Sequence, residues 1–247
     1  MRTHQKNHPA MRIVSFLLLL FSSLLASAQK DTTLQLRFVS VYNKPQISTE
    51  PIQLQDSSFF SNDKDSIEIR SLKFYISGIE LYNNRILVWK EPNSYHLVDA
   101  ANEKTCSLPL AFSNQKDFDI LSFNLGIDSA TNVMGVQGGD LDPMRGMYWT
   151  WQSGYINFKL EGTSPLCNTR HHAFEFHIGG YHYPYNTLQR IQLSASKDIN
   201  TVAYLDIGKF LHLLNLAQTN QLMTPGKDAL RVAEQLAKCF HSQYDIK

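Results

Sequence analysis

Two tryptophans hold the most distinctive chemistry in this chain of 247 residues. Trp149 and Trp151 are separated by one residue in the run GVQGGDLDPMRGMYWTWQSGY, residues 135–155. Successive side chains of a strand point to opposite faces, so both indoles, and Tyr155 with them, are predicted on one face of a single strand that bends near Gly154. Paired rings of this size usually fill a core. If they are exposed, the three rings would instead form a stacking platform for a carbohydrate.

Imidazole nitrogens are the next groups that could do chemistry, because histidine is a common ligand of copper and other transition metals. Seven of the nine histidines follow the apolar N-terminal run. His177 is the strongest candidate, because it alternates with Phe174 and Phe176 and so points away from the face that those rings commit to the core. A histidine in such a position is more often solvated or hydrogen-bonded within the protein than bound to a metal.

Other histidines offer a second ligand. His182 follows His177 beyond a glycine pair, and His96 lies in a different predicted strand, YHLVD. The adjacent pair His171 and His172 cannot direct both rings at one ion from a strand, because consecutive side chains diverge. The predicted metal ligands are therefore His177, His96 and His182.

Oxygen-bearing side chains are concentrated in the loop that precedes the tryptophans. Asp128, Asn132, Asp140 and Asp142 form this group, and oxygen donors are what Ca²⁺ prefers. Their order matches no EF-hand loop, and Asp and Asn also cap turns. We therefore favour structural caps at Asp140 and Asp142, with calcium binding as the alternative.

Motifs for hydrolysis or phosphoryl transfer are absent from the sequence. It contains no GxSxG, no HExxH and no phosphate-cradling glycine loop. Its carboxylates are scattered through turns, which gives no support for a pair acting in acid and base catalysis. We therefore expect no catalytic residues, and a binding protein that is not an enzyme.

The tryptophan run resembles the signature of the MbnP-like family of bacterial periplasmic proteins, GxLDPxxGMxWTWxSGYxxxKLEG. Further blocks are similar to those of the family and follow in its order. They are LKFYISGIEL (72–81), YHLVD (95–99), ILSFNLGID (120–128) with Asn132, and FEFHIGG (174–180). Together the blocks span residues 34–200, which is most of the chain after the N-terminal run.

The resemblance implies an MbnP-like β fold and a single copper ion bound by histidine and by a tryptophan oxidised to kynurenine, as in the related copper protein MopE. Opening the indole gives an aryl amine and a ketone, and so a nitrogen donor that tryptophan lacks. Trp149 is slightly preferred over Trp151 for this modification. The implied partners are a dihaem enzyme of the MbnH or MauG kind and an outer-membrane transport protein. The implied role is copper uptake or handling.

One position departs from the family pattern. MbnP-like proteins commonly carry a histidine in the first strand, in a segment like FxHxxxG, whereas residues 36–45 read LRFVSVYNKP. A site with two histidines then needs His96, His172 or His182 as a substitute. The alternative hypothesis is an interaction module of the same fold that binds no metal.

The N-terminus has the pattern of a secretory signal peptide, residues 1–28. Its apolar run of about 13 residues is too short to span a bilayer, and it ends in small residues. Cleavage near Ala28 would leave a periplasmic or secreted protein that does not span the membrane. It would remove three of the 23 basic residues and none of the 22 acidic ones, leaving a net charge of about −2. This balance gives no electrostatic support for nucleic-acid binding.

Alternation of apolar and polar residues predicts strands through most of the chain. They lie at 34–42, 67–69, 72–81, 85–90, 95–98, 117–125, 172–178 and 187–196. The period then becomes helical, with Asp206 as one cap and Pro225 as the first residue of a second helix. We therefore predict a mainly β protein. An antiparallel sandwich or barrel-like domain, residues 29–200, would carry an extension, residues 201–247, with one or two C-terminal helices packed on it. Cys106 and Cys167 are predicted to form a disulfide.

Overall fold

Strands make up most of the regular structure. The computed structural model describes residues 33–41, 67–112, 117–151, 154–196 and 200–245, so the predicted signal peptide lies outside the described residues. The strands are β1 (Thr33–Val41), β2 (Glu68–Asn83), β3 (Ile86–Lys90), β4 (Tyr95–Asp99), β5 (Ser107–Ala111), β6 (Ile120–Leu125), β7 (Tyr148–Trp149), β8 (Gly154–Thr163), β9 (Ala173–Gly179), β10 (Gln189–Ser194), β11 (Asn200–Asp206), β12 (Gln221–Leu222) and β13 (Phe240–Ser242). The α-helices are α1 (Ser129–Val133), α2 (Ile207–Leu214) and α3 (Lys227–Ala237).

Strand β2 is the centre of the larger sheet, which has nine strands within the described ranges. Residues 68–74 of β2 pair with β8, and residues 76–82 pair with β6. The opposite edge of β2 pairs with β4 and β3. Strand β9 extends the sheet beyond β8, and β10 extends it beyond β6. The end of β6, the start of β8 and the end of β9 therefore meet beside the middle of β2, where its pairing passes from β8 to β6.

The smaller sheet has the strand order β13-β11-β1-β5. Strands β1 and β11 are parallel, from the pair Gln35 and Asn200 to the pair Val41 and Asp206. Strands β11 and β13 were not predicted, and they add to the helices predicted for residues 201–247. The chain thus begins and ends its described part in the same sheet.

The main core joins the two sheets and the C-terminal helices. Phe38 of β1 contacts Phe74 and Phe123 of the larger sheet edge-on, with ring centroids 6.0 and 5.4 Å apart. Phe210 of α2 contacts Phe158 of β8 at 5.4 Å. Aromatic pairs of this kind add roughly 0.5–1.5 kcal/mol each beyond the area that they bury. The predicted mainly β, sandwich-like fold with C-terminal helices is confirmed, although the pairs β1–β11 and β9–β12 are parallel.

The two C-terminal helices, α2 and α3, begin at different kinds of residue. Oδ1 of Asp206 accepts a hydrogen bond from Lys209 N at 2.8 Å, which confirms the predicted cap of α2. Helix α3 begins at Lys227, two residues later than the predicted start at Pro225. No helix of the described residues is long and apolar enough to cross a membrane.

A second, smaller core covers the opposite face of the larger sheet. Phe74 and Ile76 of β2 belong to the main core, and Tyr75 between them points to the other face because side chains alternate along a strand. The buried members of this second core are Tyr75, Leu97, Ile127, Leu141, Met147, Trp149, Tyr155 and Ile156. The loop between β6 and β8 therefore folds over the sheet and carries Trp149 onto it.

The three cysteines are free thiols. The predicted disulfide between Cys106 and Cys167 is therefore wrong. Cys167 is buried in the main core, whereas the thiol of Cys106 donates to the carbonyl of Asp99 at 3.6 Å in a short turn. The two side chains thus serve different parts of the fold.

Candidate functional site

The tryptophan run forms a tight hairpin. Strand β7 contains only Tyr148 and Trp149, which pair antiparallel with Tyr155 and Gly154 of β8. The predicted single bent strand is therefore wrong, because the chain reverses between Trp149 and Gly154. This reversal gives the two indoles different environments.

Trp149 is buried and Trp151 is exposed. Their ring centroids are 5.7 Å apart, yet the exposed fractions of the two residues are 6% and 62%. Tyr155 is also buried, and its hydroxyl accepts a hydrogen bond from Gln137 N at 3.2 Å. The three rings therefore do not form an exposed platform for a carbohydrate, because two of them belong to the smaller core.

The ring of Trp149 packs against Gly179 at the end of β9. A Cβ at this position would lie 2.8 Å from Cζ3 of Trp149 and 2.6 Å from the carbonyl oxygen of Tyr155, so only a glycine fits without displacing its neighbours. His177 lies two residues earlier on the same strand. Residues so spaced share a face and are roughly 7 Å apart. Trp149 and His177 therefore lie on the same face of the larger sheet.

His177 is anchored by a carboxylate. Its Nε2 lies 2.7 Å from Oε1 of Glu161, and the ammonium of Lys159 lies 3.1 Å from the same oxygen. The hydrogen bond from His177, with help from Lys159, lowers the pKa of Glu161 to about 2 although burial opposes this shift. Histidines that bind metals usually donate their other ring nitrogen to such a carboxylate. Nδ1 of His177 has no hydrogen-bond partner among the residues that the structure describes, so it is the nitrogen available to a ligand.

The Glu161 carboxylate is expected to make stability fall in acid. Its pKa in the folded protein is about 2, below the ordinary value of 4.5, so the ionised group stabilises the fold above pH 4.5. That contribution is lost as the pH falls from 4.5 towards 2. Urea unfolding across this range should show a steeper loss of stability for the natural protein than for Glu161→Gln. The control is Glu234→Gln, an exposed carboxylate on α3, which should keep the natural slope. Equal slopes for Glu161→Gln and the natural protein would contradict the ion pair.

His96 lies away from the other two predicted ligands. Its Nε2 bonds to Oε2 of Glu91 at 2.8 Å, and its strand, β4, pairs with the opposite edge of β2 from β8 and β9. Three strand spacings separate β4 from β9, which is roughly 14 Å. The structure therefore does not bring His96 and His177 together at one ion.

His182 lies beside Trp149 on the loop that follows β9. Both residues line one cleft, and the imidazole packs against the ring of Tyr181 with centroids 4.0 Å apart. Among the described residues that line this cleft there is no carboxylate, thiol or second imidazole. Of the three predicted histidines, His177 and His182 are thus the two that lie near Trp149, and they come from β9 and the loop after it.

Two buried asparagines hold the loops of the site together. Oδ1 of Asn132 accepts from Tyr155 N at 2.9 Å, and its Nδ2 donates to the carbonyl of Ile127 at 3.1 Å. Oδ1 of Asn157 accepts from Ile127 N at 2.9 Å, and its Nδ2 donates to Thr187 Oγ1 at 2.9 Å. Asn132 was recognised from the sequence, whereas Asn157 was not. The available signal was a single amide inside the apolar run INFKL.

Asp140 and Asp142 act as caps for backbone groups. Oδ2 of Asp140 accepts from Leu97 N at 3.1 Å, and Oδ1 of Asp142 accepts from Met144 N at 2.9 Å. In the part of the chain that is described, no group of three or more histidine, cysteine, aspartate or glutamate side chains is arranged to hold a metal ion. Asp142 therefore caps its own turn, as predicted, whereas Asp140 ties the loop to strand β4.

The family model for MbnP matches residues 31–224. Among solved structures, MbnP from Methylosinus trichosporium is similar, with a TM-score of 0.49 and 12% sequence identity over 77% of this chain and 82% of that chain. No curated protein matches.

Proposed function

The chain belongs to the MbnP family, and from that membership and the surroundings of Trp149 we propose that it binds one copper ion in the periplasm or outside the cell. Residues 1–28 would direct secretion and be removed. The protein would act in copper uptake or handling, without catalytic activity of its own. The observation that carries the proposal is His177, an imidazole anchored by Glu161 on the strand against which Trp149 packs.

The donor groups around Trp149 fit a copper ion if an indole is oxidised. His177 offers Nδ1. Among the described residues, however, it belongs to no group of three or more His, Cys, Asp or Glu side chains that could hold a metal ion. Kynurenine would add an aryl amine and a ketone, which unmodified tryptophan cannot offer. Nitrogen and oxygen donors of this kind suit Cu(II). Trp149 is the preferred residue because it touches the strand of His177, and Trp151 is the alternative.

The neighbouring side chains would each have a separate task. Glu161 would keep the proton of His177 on Nε2 and so leave Nδ1 to face the ion. Gly179 would keep the ring of Trp149 against β9. Burial of Trp149 would limit access of water to the donor atoms. The ion itself would be cargo, so no chemical step is assigned to it.

Oxidation of an indole needs an external oxidant. We propose a dihaem enzyme of the MbnH or MauG kind for that role, and an outer-membrane transport protein as the second partner. Trp151 supports contact with the oxidant, because it is exposed and its ring lies beside that of Trp149.

Metal analysis of the native protein tests the proposal. We expect protein isolated from its own periplasm to hold copper at one ion per chain and to carry kynurenine, which mass spectrometry of the peptide containing Trp149 and Trp151 would reveal. His177→Ala should lose the copper. His96→Ala is the matched control, because His96 also pairs with a glutamate but lies at the other edge of β2. Full retention of copper by His177→Ala would contradict the proposal.

A metal-free interaction module is the alternative function. It is favoured by strand β1, where Val39, Ser40 and Val41 stand in the region in which relatives carry a histidine. Unmodified tryptophans and no retained copper in the native protein would select this alternative. Calcium is not part of either proposal, because Asp140 and Asp142 already cap backbone groups.

A further inference from the structure

A small cleft beside Trp149 is walled by aromatic rings. Its volume is about 130 Å³. The side chains that line it are those of Trp149, Tyr181, His182, Tyr183, Tyr185 and Pro225, with three glycines completing the wall. The proposed copper site uses Trp149 and His177, so the cleft shares Trp149 with it, whereas the tyrosines and Pro225 have no part in that proposal.

The lining of the cleft determines what it can bind. The lining residues that the structure describes include no Asp, Glu, Lys, Arg, Asn, Gln, Ser or Thr. Among these described residues an anion would find no positive charge, and a sugar would find none of the carboxylate or amide groups that usually pair with its hydroxyls. A bare metal ion would find a single imidazole, that of His182. What the cleft offers is the negatively polarised faces of indole and phenol rings.

Gly154 and Gly180 allow close packing of the residues that line the cleft. A Cβ at Gly154 would lie 3.0 Å from Cε1 of Tyr181, and one at Gly180 would lie 3.1 Å from Cβ of Pro225. Gly180 also has a φ of +133°, a conformation that residues with a side chain rarely adopt. The close approach of the rings therefore depends on glycine at both positions.

The loop that carries the tyrosines is tethered at several points. Thr187 N donates to the carbonyl of Gly180 at 2.9 Å, and Ser129 Oγ donates to the carbonyl of Tyr181 at 2.8 Å. Nδ2 of Asn186 in turn donates to Ser129 Oγ at 3.2 Å. A loop whose backbone is fixed in this way loses less entropy when a ligand binds.

We propose that this cleft binds the methylated ammonium group of an organic cation, of the choline or betaine type. Such a group is weakly hydrated, carries its positive charge on methyl groups and has no N–H that would need an acceptor. It is attracted by the faces of Trp and Tyr, which is the usual basis of quaternary ammonium recognition in aromatic cages. Neutral apolar groups of the same shape lack that attraction.

The test compares choline with 3,3-dimethylbutan-1-ol, which has the same shape but no charge. Titration of the purified protein would be followed by tryptophan fluorescence and by NMR. We expect saturable choline binding, with the neutral analogue weaker by at least about fivefold because it lacks the cation–π term. Equal affinity for the two ligands, or no saturable binding of choline, would overturn the proposal.

Variants locate the binding in the cleft. Tyr183→Leu and Tyr185→Leu should each weaken choline binding by at least about threefold, because each removes one aromatic face. Both side chains are exposed, so the variants should fold normally. Met144→Ala is the control, because Met144 is also an exposed large side chain but does not line the cleft. Unchanged choline affinity in both tyrosine variants would exclude this cleft as the site.

Discussion

Replacing Gly162 by alanine is expected to lower the free energy of unfolding by about 3 kcal/mol or more. A Cβ at Gly162 would lie 2.1 Å from the carbonyl oxygen of Glu68 and 2.5 Å from Cζ of Phe174. The first neighbour is the backbone of the paired strand β2, and the second is the tip of a fully buried ring. Neither can move aside cheaply, because the interior is close-packed.

The matched control for this variant is Gly138→Ala. No heavy atom lies within 4 Å of a Cβ built at Gly138, and its φ of −96° suits any residue. We therefore expect a change within about 0.5 kcal/mol. Urea denaturation followed by far-ultraviolet circular dichroism would measure both variants. A Gly162→Ala protein as stable as Gly138→Ala would mean that β2 and β8 are not paired in the register described.

Local patterns in the sequence were sufficient for most strands of the larger sheet, although β12 was not predicted and β7 was expected to be continuous with β8. The alternation of Phe174, Phe176 and Ile178 identifies β9 and its buried face, and the structure has this strand at Ala173–Gly179. The parallel pairing of β1 with β11 was not predictable in the same way. It joins residues more than 160 positions apart, and alternation along one strand says nothing about which strand is its neighbour.

The site was harder to predict than the fold, because its geometry depends on chain reversal and burial. The tryptophan spacing suggested one face of one strand, but the hairpin between β7 and β8 buries Trp149 and exposes Trp151. The outward direction of His177 followed from alternation, whereas its partner Glu161 lies on the next strand and could be found only from the register. The cleft beside His182 is formed by the loop after β9. This loop has no regular alternation of apolar and polar residues from which its shape could be predicted.

The largest effect on the site is expected from Asn132→Ala, because this buried amide joins the tryptophan hairpin to the loop after β6. Its Oδ1 accepts from Tyr155 N at 2.9 Å, and its Nδ2 donates to the carbonyls of Ile127 and Asp128 at 3.1 and 3.0 Å. Each buried polar group left without a partner costs roughly 1–3 kcal/mol. We therefore expect the free energy of unfolding to fall by about 3–5 kcal/mol.

The loss of the Asn132 side chain should also change the environment of the Trp149 indole. Trp149 is next to Tyr148, which pairs with Tyr155 in the hairpin. Loosening of the hairpin should therefore make the fluorescence of Trp149 easier to quench with acrylamide. Asn132→Asp tests the direction of the bonds: it keeps the acceptor for Tyr155 N but sets a carboxylate against two carbonyl oxygens, so it should also be destabilised. Asn102→Ala is the control, because Asn102 is an exposed cap and its loss should cost less than about 1 kcal/mol. If Asn132→Ala matched that control in stability and quenching, the hairpin would be held by the smaller core alone, and Asn132 would have no organising role at the site.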